Sequence, residues 1–191
     1  MYKIALKECF VLLSMAVFGA GSALAQDIVF PEPTGEQQIF EAYLTGYSFW
    51  DNTPPGTVAI SHPRAHDFAA GTGTYEDPIT LAVGHLFRSG ANILDFPAGT
   101  MFYLPRIRKY SIVEDTCGDG AHPEDGPCHI GYEGRPWIDI YVDGEQVGRE
   151  ESDTCMYKIT DIQVVVMDPD QDWPVVVGPI SESGCQYFPD P

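Results

Sequence analysis

Phe96-Pro97-Ala98-Gly99-Thr100-Met101-Phe102-Tyr103-Leu104 is a Pro-x-Gly-Thr turn feeding a run that is apolar at every position. A strand of that kind is buried on both faces, with Phe102 in the core, as in a closed barrel or a sandwich. Ile162-Gln163-Val164-Val165-Val166 reads the same way. Outward from these two, Tyr43–Trp50, Thr57–Ile60, Ile79–Val83, Tyr110–Glu114, Ile138–Val142 and Val175–Val177 are short segments rich in Val, Ile, Tyr and Phe. Each is bounded by Pro, Gly, Asp or Asn, which is the pattern of strands separated by turns. No long stretch has a 3.6-residue period. The best helical candidate is Glu36–Tyr43, capped by Thr34, with Ile39, Phe40 and Tyr43 on one face. There is no internal repeat and no linker long enough to divide the chain. The expectation is a mostly-β single domain over residues 43–191, preceded by an arm over 26–42.

The first residues have the form of a secretory signal peptide. Lys3 and Lys7 precede the apolar run from Phe10 to Phe18, and Ala23-Leu24-Ala25 has the small residues of a cleavage site. The run is shorter than the roughly 20 residues of a membrane span. Residues 1–25 are therefore expected to be removed, leaving a secreted, extracellular monomer that starts at Gln26. Cys9 leaves with that segment, and Cys117, Cys128, Cys155 and Cys185 remain. Four cysteines in an exported chain point to two disulfides, with three possible pairings. Cys117–Cys128 and Cys155–Cys185 are favoured because each closes a local loop beside a predicted strand. Zinc is disfavoured, since no Cys-x-x-Cys pair exists.

The formal net charge is −18. Such a surface repels phosphate backbones, which argues against nucleic acid as a partner and leaves neutral glycans or cationic partners open. No membrane partner and no cofactor are expected. His62 and His66 are separated by Pro63 and are not on a helix, so a zincin-like metal pair is not expected. Gly71-Thr72-Gly73 lacks the Gly-Lys-Ser/Thr of a phosphate loop, and there is no Gly-x-Ser-x-Gly elbow of a serine hydrolase.

Three aspartates carry the chemical signal: Asp77 in Glu76-Asp77-Pro78, Asp115 in Val113-Glu114-Asp115-Thr116, and Asp139 in Trp137-Ile138-Asp139-Ile140-Tyr141. An ionised carboxylate between apolar neighbours must be hydrogen-bonded, paired, or held with a raised pKa for proton transfer.

Together with the Pro-x-Gly-Thr turn, the Glu-Asp-Thr strand end and the Ile-Asp-Ile-Tyr strand, these residues resemble the six-stranded double-psi β-barrel group. That group includes the three-aspartate domain of lytic transglycosylases, rare-lipoprotein-A-like proteins, expansins, barwin-like proteins and family 45 endoglucanases. The resemblance covers Tyr75 to Val142 and is nearest to the three-aspartate domain, where Asp77, Asp115 and Asp139 fall on the motif positions. This chain departs from the pattern in a longer interval between Asp77 and Pro97, in which Asp95 competes for the first role. It also has Cys117 in place of a glycine, and Trp137 where expansins and the endoglucanases have a histidine. Phe49-Trp50-Asp51-Asn52 is similar, more loosely, to the Tyr-Trp-Asp segment of family 45 enzymes.

The resemblance implies a double-psi barrel acting on cell-wall polysaccharide. Asp139, with apolar neighbours that raise its pKa, is the expected acid, with Asp115 or Asp51 as its catalytic partner. Asp77, Tyr47, Trp50, Tyr75, Trp137 and Tyr141 are expected to bind substrate, the aromatic ones by stacking on sugar rings. Two other roles remain open. Asp115 and Asp139 could instead fix the crossing loops of the barrel by hydrogen bonds to backbone N–H groups. The same groove could also bind glycan without cleaving it, as in expansin-like and barwin-like proteins.

Overall fold

The computed structural model describes residues 28–189. The expected leader and its cleavage site lie outside the described residues. Six strands close into a mixed barrel in the order β1-β7-β2-β6-β5-β8. They are β1 Gln38–Tyr47, β2 Ile79–Val83, β5 Met101–Leu104, β6 Lys109–Thr116, β7 Trp137–Tyr141 and β8 Asp161–Met167. Two neighbours, β1/β7 and β2/β6, run parallel and the other pairs are antiparallel. The chain is thus mostly β with a closed six-stranded barrel, as its short apolar segments imply. Leu44, Leu81, Phe102, Val113, Ile138 and Ile140 are completely buried. Phe96 closes one side of this core, its ring 5.2 Å edge-on from Phe102 and 6.1 Å from Phe40. Each such side chain contributes about 1.5–3 kcal/mol by leaving water.

The expected elements differ from the observed ones in four places. Glu36–Tyr43 is not a helix: β1 begins at Gln38 and pairs with β8 over Gln38–Leu44 and with β7 over Tyr43–Tyr47. Ile39 and Phe40 therefore point to opposite faces, and Ile39 is 61% exposed while Phe40 packs on Phe96 and Phe102. The strand's two-sided pairing outweighs a local helical preference. Thr57–Ile60 is not a strand, because the Asn52 side-chain amide, rather than a neighbouring strand, holds the carbonyls of Thr57 and Ala59. Val175–Val177 also lies outside any sheet, where Val176 bonds through its N–H to the Arg108 carbonyl and through its carbonyl to Lys109. In contrast, β3 His85–Arg88 and β4 Ala91–Leu94 form an unexpected hairpin. Ser89 and Gly90 both adopt positive φ at its two-residue turn, as the twist of a tight hairpin requires.

Among the described residues are two α-helices, the single turn α1 Pro127–Ile130 and the longer α2 Arg149–Ile159. No helix among the described residues is long and apolar enough to cross a membrane. The buried face of α2 is Ser152, Cys155 and Ile159, only one of them a large hydrocarbon, so it has little apolar period to read. It lies against β1 at Gly46, where an added Cβ would meet Val142, Met156 and Ile159 side chains at 3.0–3.2 Å.

The disulfides are Cys117–Cys128 and Cys155–Cys185, spanning 11 and 30 residues. The first fixes the loop after β6 to α1, and the second fixes the C-terminal segment to α2. Because the longer loop loses more chain entropy on closure, removing Cys155–Cys185 by paired serine substitution should destabilise by about 4 kcal/mol, against about 3 for Cys117–Cys128. Urea midpoints of the two double variants, compared with the parent, check the order.

Candidate active site

One row of residues crosses four adjacent strands. Thr45 on β1 is opposite Asp139 on β7, Asp139 is opposite Ala82 on β2, and Ala82 is opposite Asp115 on β6. Side chains alternate along a strand, so Asp139 faces away from core-facing Ile138 and Ile140. Asp115 reaches the same side through an irregularity. The β2/β6 register shifts between Leu81 and Ala82, so Leu81 is opposite Val113 but Ala82 is opposite Asp115. Glu114 is the extra residue, and the bulge re-aims the residues C-terminal to it. Adjacent strands are about 4.8 Å apart, so the backbones of Asp139 and Asp115 stand roughly 10 Å apart. Between them is only the methyl group of Ala82.

Over this row the loop after β1 and the loop after β6 form the walls of a cleft of about 330 Å³. Asp51, Asp115, Asp119 and Asp139 all line it, together with Tyr47 and Ser61, and no Lys or Arg does. The three expected catalytic aspartates are thus brought together, and Asp119, which the sequence reading missed, joins them. The signal for Asp119 was present only in its place two residues after Cys117, since the disulfide holds that loop at the rim.

The carboxyls have distinct environments. Asp115 is saturated: Oδ1 accepts from Ser61 N and Ser61 Oγ at 3.0 Å and from Thr116 N at 2.9 Å, and Oδ2 accepts from the Tyr47 hydroxyl at 3.2 Å. Burial, and then the charge of Asp115, hold the Tyr47 pKa well above the phenol range, so its hydroxyl stays a donor. Asp51 accepts from Ser48 N at 2.6 Å and Ser48 Oγ at 2.7 Å through Oδ1 alone. Asp139 accepts one hydrogen bond, from Thr45 Oγ1 to Oδ1 at 2.7 Å. Burial pushes its pKa up to about 7; the charges of Asp51 and Asp115 add to this, and the Thr45 hydrogen bond opposes it. One proton-holding carboxyl therefore sits among ionisable neighbours, the division of roles that acid–base chemistry uses.

The remaining expected ligands lie elsewhere. Asp77 bonds to Thr72 N and Oγ1 and to His66 Nε2, at 3.0, 2.7 and 3.0 Å. Tyr75 lines a separate hollow with Trp173 and packs on Tyr110. Tyr141 is only 2% exposed, behind Tyr47. The Trp50 indole donates to the Gly144 carbonyl at 2.9 Å. Trp137 packs edge-on against Tyr43 at 4.7 Å, and its indole N–H donates to Thr45 Oγ1 at 2.7 Å. Of the expected aromatic ligands, only Tyr47 lines the cleft. Asp95 is buried beside His129, Oδ1 to Nδ1 2.6 Å. Among the described residues no group of three or more His, Cys, Asp and Glu is arranged to hold a metal ion.

Glu114, also missed, holds the cleft together. Its buried carboxylate accepts from the N–H groups of Arg64 and His66 at 3.0 and 2.9 Å and from Thr80 Oγ1 at 3.1 Å. Its Oε2 also lies 2.8 Å from His66 Nδ1, which places the imidazole between Glu114 and Asp77. This clamps the loop carrying Ser61 to the bulge in β6. Burial disfavours charge on His66, but hydrogen bonds with Glu114 and then Asp77 outweigh it and raise its pKa. Burial likewise pushes Asp77 up, and its bonds with Thr72 and His66 bring it net below the usual range.

A closed mixed barrel with an acidic cleft over β1, β7, β2 and β6 is thus the class the fold and site define. By sequence, the chain belongs to the family described as the DDB_G0273701 N-terminal domain, which matches residues 39–186 and so takes in the barrel and the cleft. The chain is 39% identical over 74 residues to the uncharacterized protein DDB_G0273701/DDB_G0273221 of Dictyostelium discoideum, a match covering 39% of this chain and 29% of that protein. No solved structure matches.

The His66 clamp makes stability depend on pH. A raised imidazole pKa stabilises the fold fully below the unfolded value of about 6.5, and that contribution is lost as pH rises through the higher folded value. Asp77 adds the opposite limb, a contribution present above about 3.9 and lost as pH falls through its lowered folded value. His66→Phe should reduce the neutral-pH slope, leaving the part contributed by Asp139, whose pKa is raised to about 7, and Glu114→Ala, which strands buried donors, should destabilise by about 3–5 kcal/mol. Denaturation midpoints between pH 5 and pH 9 read both effects.

Proposed function

We propose that this protein is a secreted carbohydrate-active enzyme whose barrel is of the double-psi kind and whose cleft cleaves a cell-wall glycan by acid catalysis at Asp139. The observation that carries the reading is a carboxyl with a pKa raised to about 7, opening onto a cleft with three other aspartates. The two parallel pairs within a closed six-stranded barrel support the double-psi assignment. The two disulfides fit an oxidising, extracellular compartment. The cleft volume is within the range of small-ligand sites.

In this reading Asp139 gives its proton to the glycosidic oxygen as the bond to the anomeric carbon breaks. A second carboxylate takes a proton from the water whose oxygen forms the new bond. Asp51 suits that second role, because its Oδ2 has no hydrogen-bond partner among the described residues. Asp115 is fully engaged with Ser61, Thr116 and Tyr47; it shapes the cleft, and its charge helps keep Asp139 protonated. The binding-only alternative gains nothing from the lining, where Tyr47 is the sole aromatic residue among the described residues.

Reducing-end and anhydro-sugar release from glucans, chitin and peptidoglycan tests the reading. Turnover should be highest below about pH 7 and fall roughly tenfold per pH unit above it, because only protonated Asp139 acts. Asp139→Asn should lose at least about 10²-fold. Glycan binding with no product, unaltered by that substitution, would reject cleavage in favour of binding.

A further inference from the structure

We propose that Thr45 and Trp137 are positioning residues that reserve Asp139 Oδ2, the oxygen left open beside the cleft, as the seat of its transferable proton. The inference rests on the acid role given to Asp139 above. It comes from counting donors and acceptors along one short chain, Trp137 Nε1 to Thr45 Oγ1 at 2.7 Å and Thr45 Oγ1 to Asp139 Oδ1 at 2.7 Å.

An indole N–H only donates, so Thr45 Oγ1 must accept from Trp137. A threonine hydroxyl has a single proton, and among the described residues the only acceptor within its reach is Asp139 Oδ1, so the short contact is where that proton goes. Oδ1 is in this way committed as an acceptor. A proton on the Asp139 carboxyl consequently sits on Oδ2, since the one hydrogen bond to this carboxyl among the described residues is to Oδ1. By donating to Oγ1 the indole polarises the Thr45 hydroxyl, making it a better donor to Oδ1 and a poorer acceptor of a proton from it. The register supports a built arrangement: Tyr43–Trp137 and Thr45–Asp139 are consecutive same-face pairs of the parallel β1/β7 ladder. The titratable groups facing Asp139 are Asp51 and Asp119 from the two loops, Tyr47 from β1 and Asp115 from β6. The one hydroxyl donor among them, Tyr47, is engaged with Asp115 Oδ2, so none takes the place of the Thr45 hydroxyl at Oδ1.

The test tracks Asp139 by carboxyl-carbon NMR across pH 4–9 in the intact secreted protein, with the Trp137 indole proton observed in the same samples. In the parent, the indole resonance should move with the Asp139 titration, through Thr45. Thr45→Val, close in shape, should uncouple the two and raise the Asp139 midpoint by about one pH unit, since a donor to the carboxylate is gone. Thr45→Ser should restore both features, which a purely packing role for Thr45 would not do. Trp137→Phe should raise the midpoint by a smaller amount. An indole resonance indifferent to the Asp139 titration, or a midpoint unmoved in both Thr45→Val and Trp137→Phe, overturns the relay whether or not any glycan is cleaved. Coupled titration with no product from any glycan would instead leave the relay standing and remove the enzymatic reading.

Discussion

The cleft depends on the register of β7 between its two neighbours. Parallel pairing with β1 sets Asp139 beside Thr45, and antiparallel pairing with β2 sets it beside Ala82. A slip of one residue on either side would turn Asp139 into the barrel and bring Ile138 or Ile140 to the surface. That exchange would bury a carboxylate where only hydrocarbon surrounds it and expose a large apolar side chain. The core therefore enforces the register, and the register places the acid. Packing and site geometry are two consequences of one alternation.

Asp115 reaches the cleft by a different route, since strict alternation would leave it on the same side as Val113. The bulge at Glu114 reverses this, and the cost of the broken ladder is offset by what Glu114 then does. Its carboxylate collects the N–H groups of the loop over residues 64–66, backbone donors that have no strand to pair with. The same loop carries Ser61, which donates twice to Asp115. Two successive acids on one strand thus divide the work, Glu114 anchoring the loop and Asp115 receiving it.

Much of the barrel was legible because closed barrels need short, dense strands, and β2, β5, β6, β7 and β8 have that composition. What was not legible depended on partners distant in sequence. β1 has a helix-like spacing in Ile39, Phe40 and Tyr43, and only its two neighbours decide against it. The helix α2 hides its inner face in Ser152 and Cys155, and Thr57–Ile60 looks like a strand until Asn52 takes its carbonyls. The aspartates stood out because Ile138, Ile140 and Val113 made their company unusual. Thr45, Ser61 and Asp119 did not, since a hydroxyl on a strand or an acid on a Gly-rich loop needs no special explanation.

Most of the expected aromatic ligands lie away from the cleft for a related reason. Trp50, Trp137 and Tyr141 have the stacking surface of sugar-binding side chains, yet both indoles are engaged by protein acceptors and Tyr141 is enclosed. In a barrel of this size, aromatic rings fill volume inside and seal loops at strand ends. The cleft is lined by charge more than by aromatic surface. With three aspartates besides Asp139 and no Lys or Arg along its walls, it is negatively charged, and the charges of Asp51 and Asp115 add to the burial that favours a retained proton on Asp139. Burial first, and the charges of Asp51 and Asp115 after it, make the site expensive to fold and hold a proton on Asp139.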